Sequence, residues 1–196
     1  MKFRKKLLFL LWLILFLNAC HQGEDSHPES VFDLEGFINS QVVSLSMSEH
    51  QLKKRTGIGS NAEILMLVPD STGWQKELSI FKTAAIHKPG LRDFYSKNVI
   101  DSGENEIEEY FLKDTSQSET IFLRVVKEKK SSLVRLIEAG QHTDNPIYNS
   151  GRDLFLKFLP VDKDNVLLDS FAVSGYQKMV LQDSVIYFTG GKIIMP

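Results

Sequence analysis

From about residue 104 onward the chain is a succession of short apolar–polar alternations, and the gaps between them are too brief to hold a helix. Residues 107–113, 120–128, 133–139, 148–159, 166–181 and 185–189 are rich in β-branched and aromatic side chains and have extended character. Ile121, Leu123 and Val125 share one face of such a segment, as do Leu154, Leu156 and Phe158. The punctuation is polar: Asp114-Thr115-Ser116, Lys129-Lys130-Ser131-Ser132, Thr143-Asp144-Asn145-Pro146 and Asp162-Lys163-Asp164-Asn165. A parallel neighbour requires a crossover of about a dozen residues or more, whereas gaps of this size admit only hairpins. Neighbouring strands are therefore expected to pair antiparallel.

The first half has a different texture. Val31, Leu34, Ile38, Val42 and Leu45 recur at spacings of three and four, with Phe37 widening the stripe, and predict an amphipathic helix with Ser30 and Asp33 at its start. Trp74, Leu78, Phe81 and Ala85 predict a second helix, with Ser71 and Thr72 as caps and His87-Lys88-Pro89-Gly90 ending it. Residues 46–59 are polar and contain Lys53-Lys54-Arg55, part of which suits an edge strand. Residues 62–68 read as a strand stopped by Pro69, and residues 91–95 as a helical turn. Helices first and strands later give an α+β class. The expected form is one twisted antiparallel sheet of roughly six to seven strands with two helices on one face.

The beginning of the chain is a targeting segment. Lys2, Arg4, Lys5 and Lys6 precede eleven residues, 7–17, without a polar side chain, and Asn18, Ala19 and Cys20 close the run. At about 1.5 Å per residue, eleven residues reach about 17 Å, short of the roughly 30 Å hydrocarbon layer, which argues against a permanent span. Leu17-Asn18-Ala19-Cys20 resembles the lipobox of bacterial lipoproteins. That resemblance implies cleavage between Ala19 and Cys20 and acylation (palmitate or a similar chain) of Cys20. It also implies a lipid-anchored place in the cell envelope, on the periplasmic or surface face of the outer membrane. The alternative is an ordinary secretory leader. Cys20 is the only cysteine, and acylation removes the liability of a lone thiol in an exported protein. The expected organisation is a signal peptide over 1–19, the lipidated Cys20 and a polar tether over 20–30, and one α+β domain over 31–196. In the tether, Gln22-Gly23-Glu24-Asp25 is similar to the acidic export signals of some Gram-negative surface lipoproteins, or is simply a solvated linker.

Charge excludes one class of partner. Four of the 23 basic residues belong to the leader, so the remainder carries 19 basic against 25 acidic side chains, a net charge of −6. General nucleic-acid binding through net charge is not expected. The element order resembles lipoprotein carriers and receptors of the LolA and LolB type, which implies an open half-barrel closed by helices. Trp74, Phe81, Phe94, Phe111, Phe122, Phe155, Phe158, Phe171 and Phe188 suffice to line a cavity, and equally to fill an ordinary core.

Motifs of catalysis are incomplete. Gly57-Ile58-Gly59-Ser60-Asn61-Ala62 has dinucleotide spacing without the preceding strand and following helix that such a site needs, and reads as a glycine turn. Ser79-Ile80-Phe81-Lys82 matches S-x-x-K without its companion motifs. Asp162, Asp164, Asn165 and Asp169 lack the glycine and distal Glu of a calcium loop. His21, His27, His50, His87 and His142 show no zinc spacing and are expected to be solvated. Glu104, Glu106, Glu108 and Glu109 form an acidic strand entry, with Glu106 and Glu108 on one face and Glu109 on the other. A charged sheet edge is the expected role, and paired-carboxylate catalysis the alternative.

The expected function is a non-catalytic binding or accessory protein of the envelope, with no cofactor or metal. Its partners are the membrane, through Cys20, and an envelope protein or an apolar ligand between sheet and helices. The alternatives are an envelope hydrolase and an assembly subunit. The chain is similar to uncharacterised Gram-negative envelope lipoproteins. Trp74, Phe81, His87, Phe94 and Tyr95, on the second helix and the loop after it, are the candidate ligand or partner surface.

Overall fold

The computed structural model describes residues 30–195. The leader, Ala19, Cys20 and the tether histidines His21 and His27 lie outside the described residues. A compact unit begins at Val31. It is an α+β fold: a nine-stranded, wholly antiparallel sheet with two helices packed on one face.

In chain order the elements are α1 (Leu34–Ser46), β1 (Gln51–Ile58), β2 (Asn61–Leu67) and α2 (Ser71–Lys82), followed by a 3-10 turn (Arg92–Phe94). Then come β3 (Tyr95–Ser102), β4 (Asn105–Leu112), β5 (Thr120–Glu128), β6 (Val134–Asn145), β7 (Tyr148–Pro160), β8 (Val166–Met179) and β9 (Val185–Ile194). Strands β3 to β9 form an unbroken meander, as the short gaps require. The β1–β2 hairpin joins at its far end, β1 pairing with β9, to give the order β2-β1-β9-β8-β7-β6-β5-β4-β3. The sheet is not closed into a barrel: β2 and β3 are its two edges. Because β2 and β3 lie at opposite edges, the chain between them must traverse the sheet, and α2 lies on that path.

Helix α1 is capped by Asp33, one of the two residues read at its start, and α2 is capped one residue before the expected Ser71. Asp33 caps α1 by accepting from the Gly36 amide at 2.8 Å, and Asp70 caps α2 by accepting from the Gly73 amide at 2.7 Å. Ser30, Ser71 and Thr72 do not serve as caps. Helix α2 ends at Lys82, ahead of Pro89-Gly90, and Ala84, Ala85 and Ile86 continue into the core as a buried turn.

The sheet has two strands more than the upper expectation, for identifiable reasons. Strand β3 carries Ser96, Asn98, Asp101 and Ser102 and buries only Tyr95, so it has no alternation to read. Strand β1 is not an edge: it is paired on both sides, and backbone ladders hold it despite Lys53-Lys54-Arg55. The true edge is β2, which leaves Ile64, Leu65 and Met66 exposed. Likewise β4, with its glutamates, is interior, because β3 covers it; its charge does not guard an edge.

Helices and sheet share one core. Leu34, Ile38, Val42 and Leu45 of α1 and Trp74, Leu78 and Phe81 of α2 are buried against Ile137, Leu154, Leu156, Phe158 and Phe171. Phe81 meets Phe171 edge-on at 5.7 Å and Phe37 meets Phe158 at 5.1 Å. Several strand glycines sit under rings of the directly paired strand: Gly57 under Phe188, Gly140 under Phe122, Gly151 under Tyr176 and Gly191 under Phe171. An added Cβ at any of them would clash with its ring, so the residue that weakens a strand by itself is what admits the aromatic.

One polar side chain docks α1. Pairing of β8 with β9 begins at Ser170, which leaves Val166 to Asp169 without a β9 neighbour. Buried Gln41 takes that place. Its Nε2 donates to the Val166 carbonyl at 3.1 Å, and its Oε1 accepts from the Leu168 amide at 2.8 Å. Gln41→Leu keeps the size of the side chain and strands both backbone groups. At roughly 1–3 kcal/mol for each of the two unsatisfied buried groups, a loss of about 2–6 kcal/mol is expected, read as a lower urea midpoint with an unchanged m-value.

Candidate functional site

Strand periodicity places a row of polar groups in phase with buried apolar ones. On β7, Arg152 precedes Leu154, Leu156 and Phe158 at steps of two, and so shares the face that the helices cover. On β6, Gln141 follows Ile137 and Ala139 in the same way and pairs directly with Arg152. Tyr187 on β9 and Lys54 on β1 fall on this face further across the sheet. Helix α2 brings Lys76, Glu77 and Ile80 down beside them.

Lys54, Lys76, Glu77, Arg152 and Tyr187 border a pocket of about 310 Å³. Its floor is apolar, made by Phe171 and Val173 of β8, and Ile80 and Thr189 complete the walls. Lys54 Nζ lies 2.8 Å from both Glu77 carboxylate oxygens, a bidentate pair between β1 and α2 in which both side chains are mostly shielded. Arg152 Nε donates to the Tyr187 hydroxyl at 3.2 Å, and its Nη1 donates to Gln141 Oε1 at 3.3 Å. Gln141 is buried and passes the chain of bonds to Thr120 Oγ1 at 3.4 Å. Three cationic side chains face one carboxylate here, and that carboxylate is engaged by Lys54. Among the described residues, neither Arg152 nor Lys76 has a carboxylate within 4.0 Å.

The sequence-derived candidates are differently placed. Trp74 and Phe81 are 0% and 1% exposed, so they offer packing, and on α2 it is exposed Lys76 with half-buried Glu77 and Ile80 that borders the pocket. Tyr95 is buried; its hydroxyl donates to the Thr120 carbonyl at 2.6 Å and lies 2.9 Å from the Ser118 hydroxyl. Burial pushes the Tyr95 phenol above its usual range, against the opposing effect of Ser118. Phe94 is half-buried against the core. His87 is also half-buried, its Nε2 3.3 Å from Asp33 Oδ1, and ties the segment after α2 to the cap of α1. His50 is buried rather than solvated, with Nδ1 3.2 Å from the Leu45 and Ser48 carbonyls at the end of α1. Ser79 is exposed and donates to the Lys76 carbonyl, on the polar side of α2.

The acidic group divides between two structural networks. Glu109 faces the uncovered side and shares Arg124 with Glu138, each at 2.8 Å, across three strands. Glu108 faces the helix-covered side. Lys127 donates to it at 2.7 Å and Tyr110 at 2.8 Å, and Lys97 lies 3.7 Å away. The Tyr110 hydroxyl accepts from the Phe32 amide at 3.2 Å, and Lys127 lies over the Phe32 ring, so this carboxylate anchors the chain entering α1. Asp162 organises the β7–β8 turn, accepting from the Asp164 and Asn165 amides at 2.8 Å, while Asp169 pairs with Lys192. Among the described residues no group of three or more His, Cys, Asp or Glu is gathered as a metal site requires. No known family, curated protein or solved structure matches the chain.

Burial would raise the pKa of Glu108, but hydrogen bonds from Lys127 and Tyr110 and the charges of Lys127 and Lys97 outweigh it, so the carboxyl sits below its ordinary value. A folded-state pKa below the unfolded one means that the stabilisation is complete above the ordinary carboxylate range, about 4.3, and is lost as pH falls through the folded value. Glu108→Gln is expected to lower stability by about 1–3 kcal/mol at pH 7. The gap to the unmodified protein should narrow steadily below about pH 4, measured by urea denaturation across pH.

Proposed function

We propose that the chain is a lipid-anchored protein of a bacterial cell envelope that works as a non-catalytic binding or accessory protein, using the helix-covered face of its open sheet. The anchor rests on the leader and the lipobox-like Leu17-Asn18-Ala19-Cys20. Several acyl chains, each contributing about 0.8 kcal/mol per buried CH₂, hold such a protein on a membrane. The open sheet with helices on one face supports a likeness to half-barrel lipoprotein carriers at the level of architecture.

The observation that carries a binding role is the pocket beside α2. It is amphipathic, and it contains charged groups, Arg152 and Lys76, that have no carboxylate within 4.0 Å among the described residues. The space directly between helices and sheet is a less favourable place for an apolar ligand. Leu34, Phe81, Ala84, Ile137, Ala139, Leu154 and Leu156 close it so tightly that no water-sized sphere fits. A second reading, an assembly subunit, is favoured by β2, an edge strand with exposed Ile64, Leu65 and Met66 whose backbone is open to pairing on one side.

Expression in a Gram-negative host tests the anchor. The unmodified chain is expected in the membrane fraction, with a mass showing acyl chains on Cys20. Cys20→Ser is expected to move it to the soluble periplasmic fraction or to leave the leader uncut. A bare Cys20 thiol on the mature protein would overturn the proposed localisation.

A further inference from the structure

We propose that the pocket between α2 and strands β1, β7, β8 and β9 binds a small amphipathic oxyanion, a carboxylate or phosphate head on an apolar body. This rests on the reading of the helix-covered face as a binding surface and names what that surface selects. The first argument is a count of donors and acceptors. A guanidinium has five N–H donors and no acceptor. Two of those of Arg152 are engaged, one by Tyr187 and one by Gln141, and these bonds hold the group in a fixed plane. The remaining donors have no acceptor among the described residues. Tyr187 accepts from Arg152, which leaves its own proton available. Lys76 adds a second cation from α2. Among the described residues the one carboxylate lining the pocket, that of Glu77, is occupied at both oxygens by Lys54. The pocket therefore has several donors and two uncompensated positive charges, and its one carboxylate acceptor is already committed. An anionic, acceptor-rich head matches both the free donors and the charge.

The second argument is local charge against global charge. The chain past its leader is net acidic, so a patch with a surplus of cations runs against the overall composition. The surplus is also sheltered: Arg152 is half-buried between β6 and β9, where a charge without a counter-ion is expensive to maintain. The third argument is the floor. Ile80 is partly exposed, and with the nearly buried Phe171 and Val173 behind it gives the pocket an apolar side next to the donors, which a bare inorganic ion would not contact. A volume of about 310 Å³ falls at the small end of ligand sites, roughly 300–1,000 Å³, and suits a compact organic anion rather than a whole lipid.

The test is calorimetric titration of the full-length protein in nanodiscs of zwitterionic lipid, with empty nanodiscs as blank. The probes are 4-phenylbutyrate, phenyl phosphate, inorganic phosphate, 4-phenylbutylamine and 4-phenylbutanol. Saturable binding of 4-phenylbutyrate or phenyl phosphate is expected, at least tenfold tighter than the amine, the alcohol or inorganic phosphate. Which of the two acids binds better separates a carboxylate from a phosphate source. Loss of one charge-assisted contact corresponds to about tenfold or more, so Arg152→Gln should weaken the acids to that extent and Arg152→Lys by less. Lys76→Gln, on the exposed side of α2, should weaken them about threefold or more without touching the core. Ile80→Trp should block binding by filling the pocket. If neither acid binds, or if Arg152→Gln and Lys76→Gln leave affinity unchanged, the proposal is overturned. Equal binding of acid, amine and alcohol that Ile80→Trp still blocks would also overturn it, while leaving the face as a binding surface. Recovery of a chemically altered probe would instead overturn the non-catalytic reading and leave recognition of the oxyanion intact.

Discussion

The antiparallel pairing of β1 with β9 is the constraint on which the rest of the structure depends. It joins the first hairpin to the last strand, so that β2 becomes one edge of the sheet and β3 the other. The chain leaving β2 then has to cross the sheet to begin β3. The segment that crosses carries the apolar stripe of Trp74, Leu78 and Phe81, and burying that stripe fixes the crossing to one face. Helix α1 packs beside α2 on the same face, and Gln41 supplies the hydrogen bonds that β9, which past Lys192 pairs with β1 alone, does not give the start of β8. The same pairing brings Lys54 and Tyr187 to the covered face beside α2, so the pocket exists only because the two ends of the domain meet.

Polar groups set in phase with buried rows are a recurring device. Glu108, Gln141 and Arg152 each occupy a strand position at which the alternation calls for an apolar side chain. Each is shielded from water, and each is tied into bonds reaching other strands. Shielded polar groups of this kind demand partners, which makes them specify register as well as stability. Glu108 has its counter-charges within the protein, and Gln141 is neutral. Arg152 carries a charge with no carboxylate beside it among the described residues, and that difference separates a structural network from a site.

Much of the architecture was legible from residues alone. The alternations of β5 and β7 and the apolar stripes of both helices are strong local signals, because burial on one face imposes its period on the chain. Strand β3 was hidden, and β1 was read only as an edge, for a shared reason: ladder hydrogen bonds come from the backbone, and a strand with mostly solvated side chains carries no pattern. The cap Asp33 was among the positions read from sequence and Asp70 lay one residue before them, since several neighbouring residues can cap and only geometry selects among them. His50 escaped notice as a buried residue because its partners are backbone carbonyls. Arg152 did leave a trace, a charge in phase with Leu154 and Leu156, but a trace of that sort does not name the groups that will face it.

By itself the sequence determined the antiparallel pairing of successive strands, the presence of two amphipathic helices and the α+β class, since all three follow from gap lengths and periodicities within short stretches of chain. Tertiary structure alone decided that the first hairpin extends the last strand, that the sheet remains open between β2 and β3, and that Lys54, Lys76, Arg152 and Tyr187 converge. Those outcomes join residues more than a hundred positions apart, as Thr56 and Thr189 show with their hydroxyls 3.0 Å from one another. Local propensity carries no information over that separation, and only the shared burial of a whole sheet face brings such residues together.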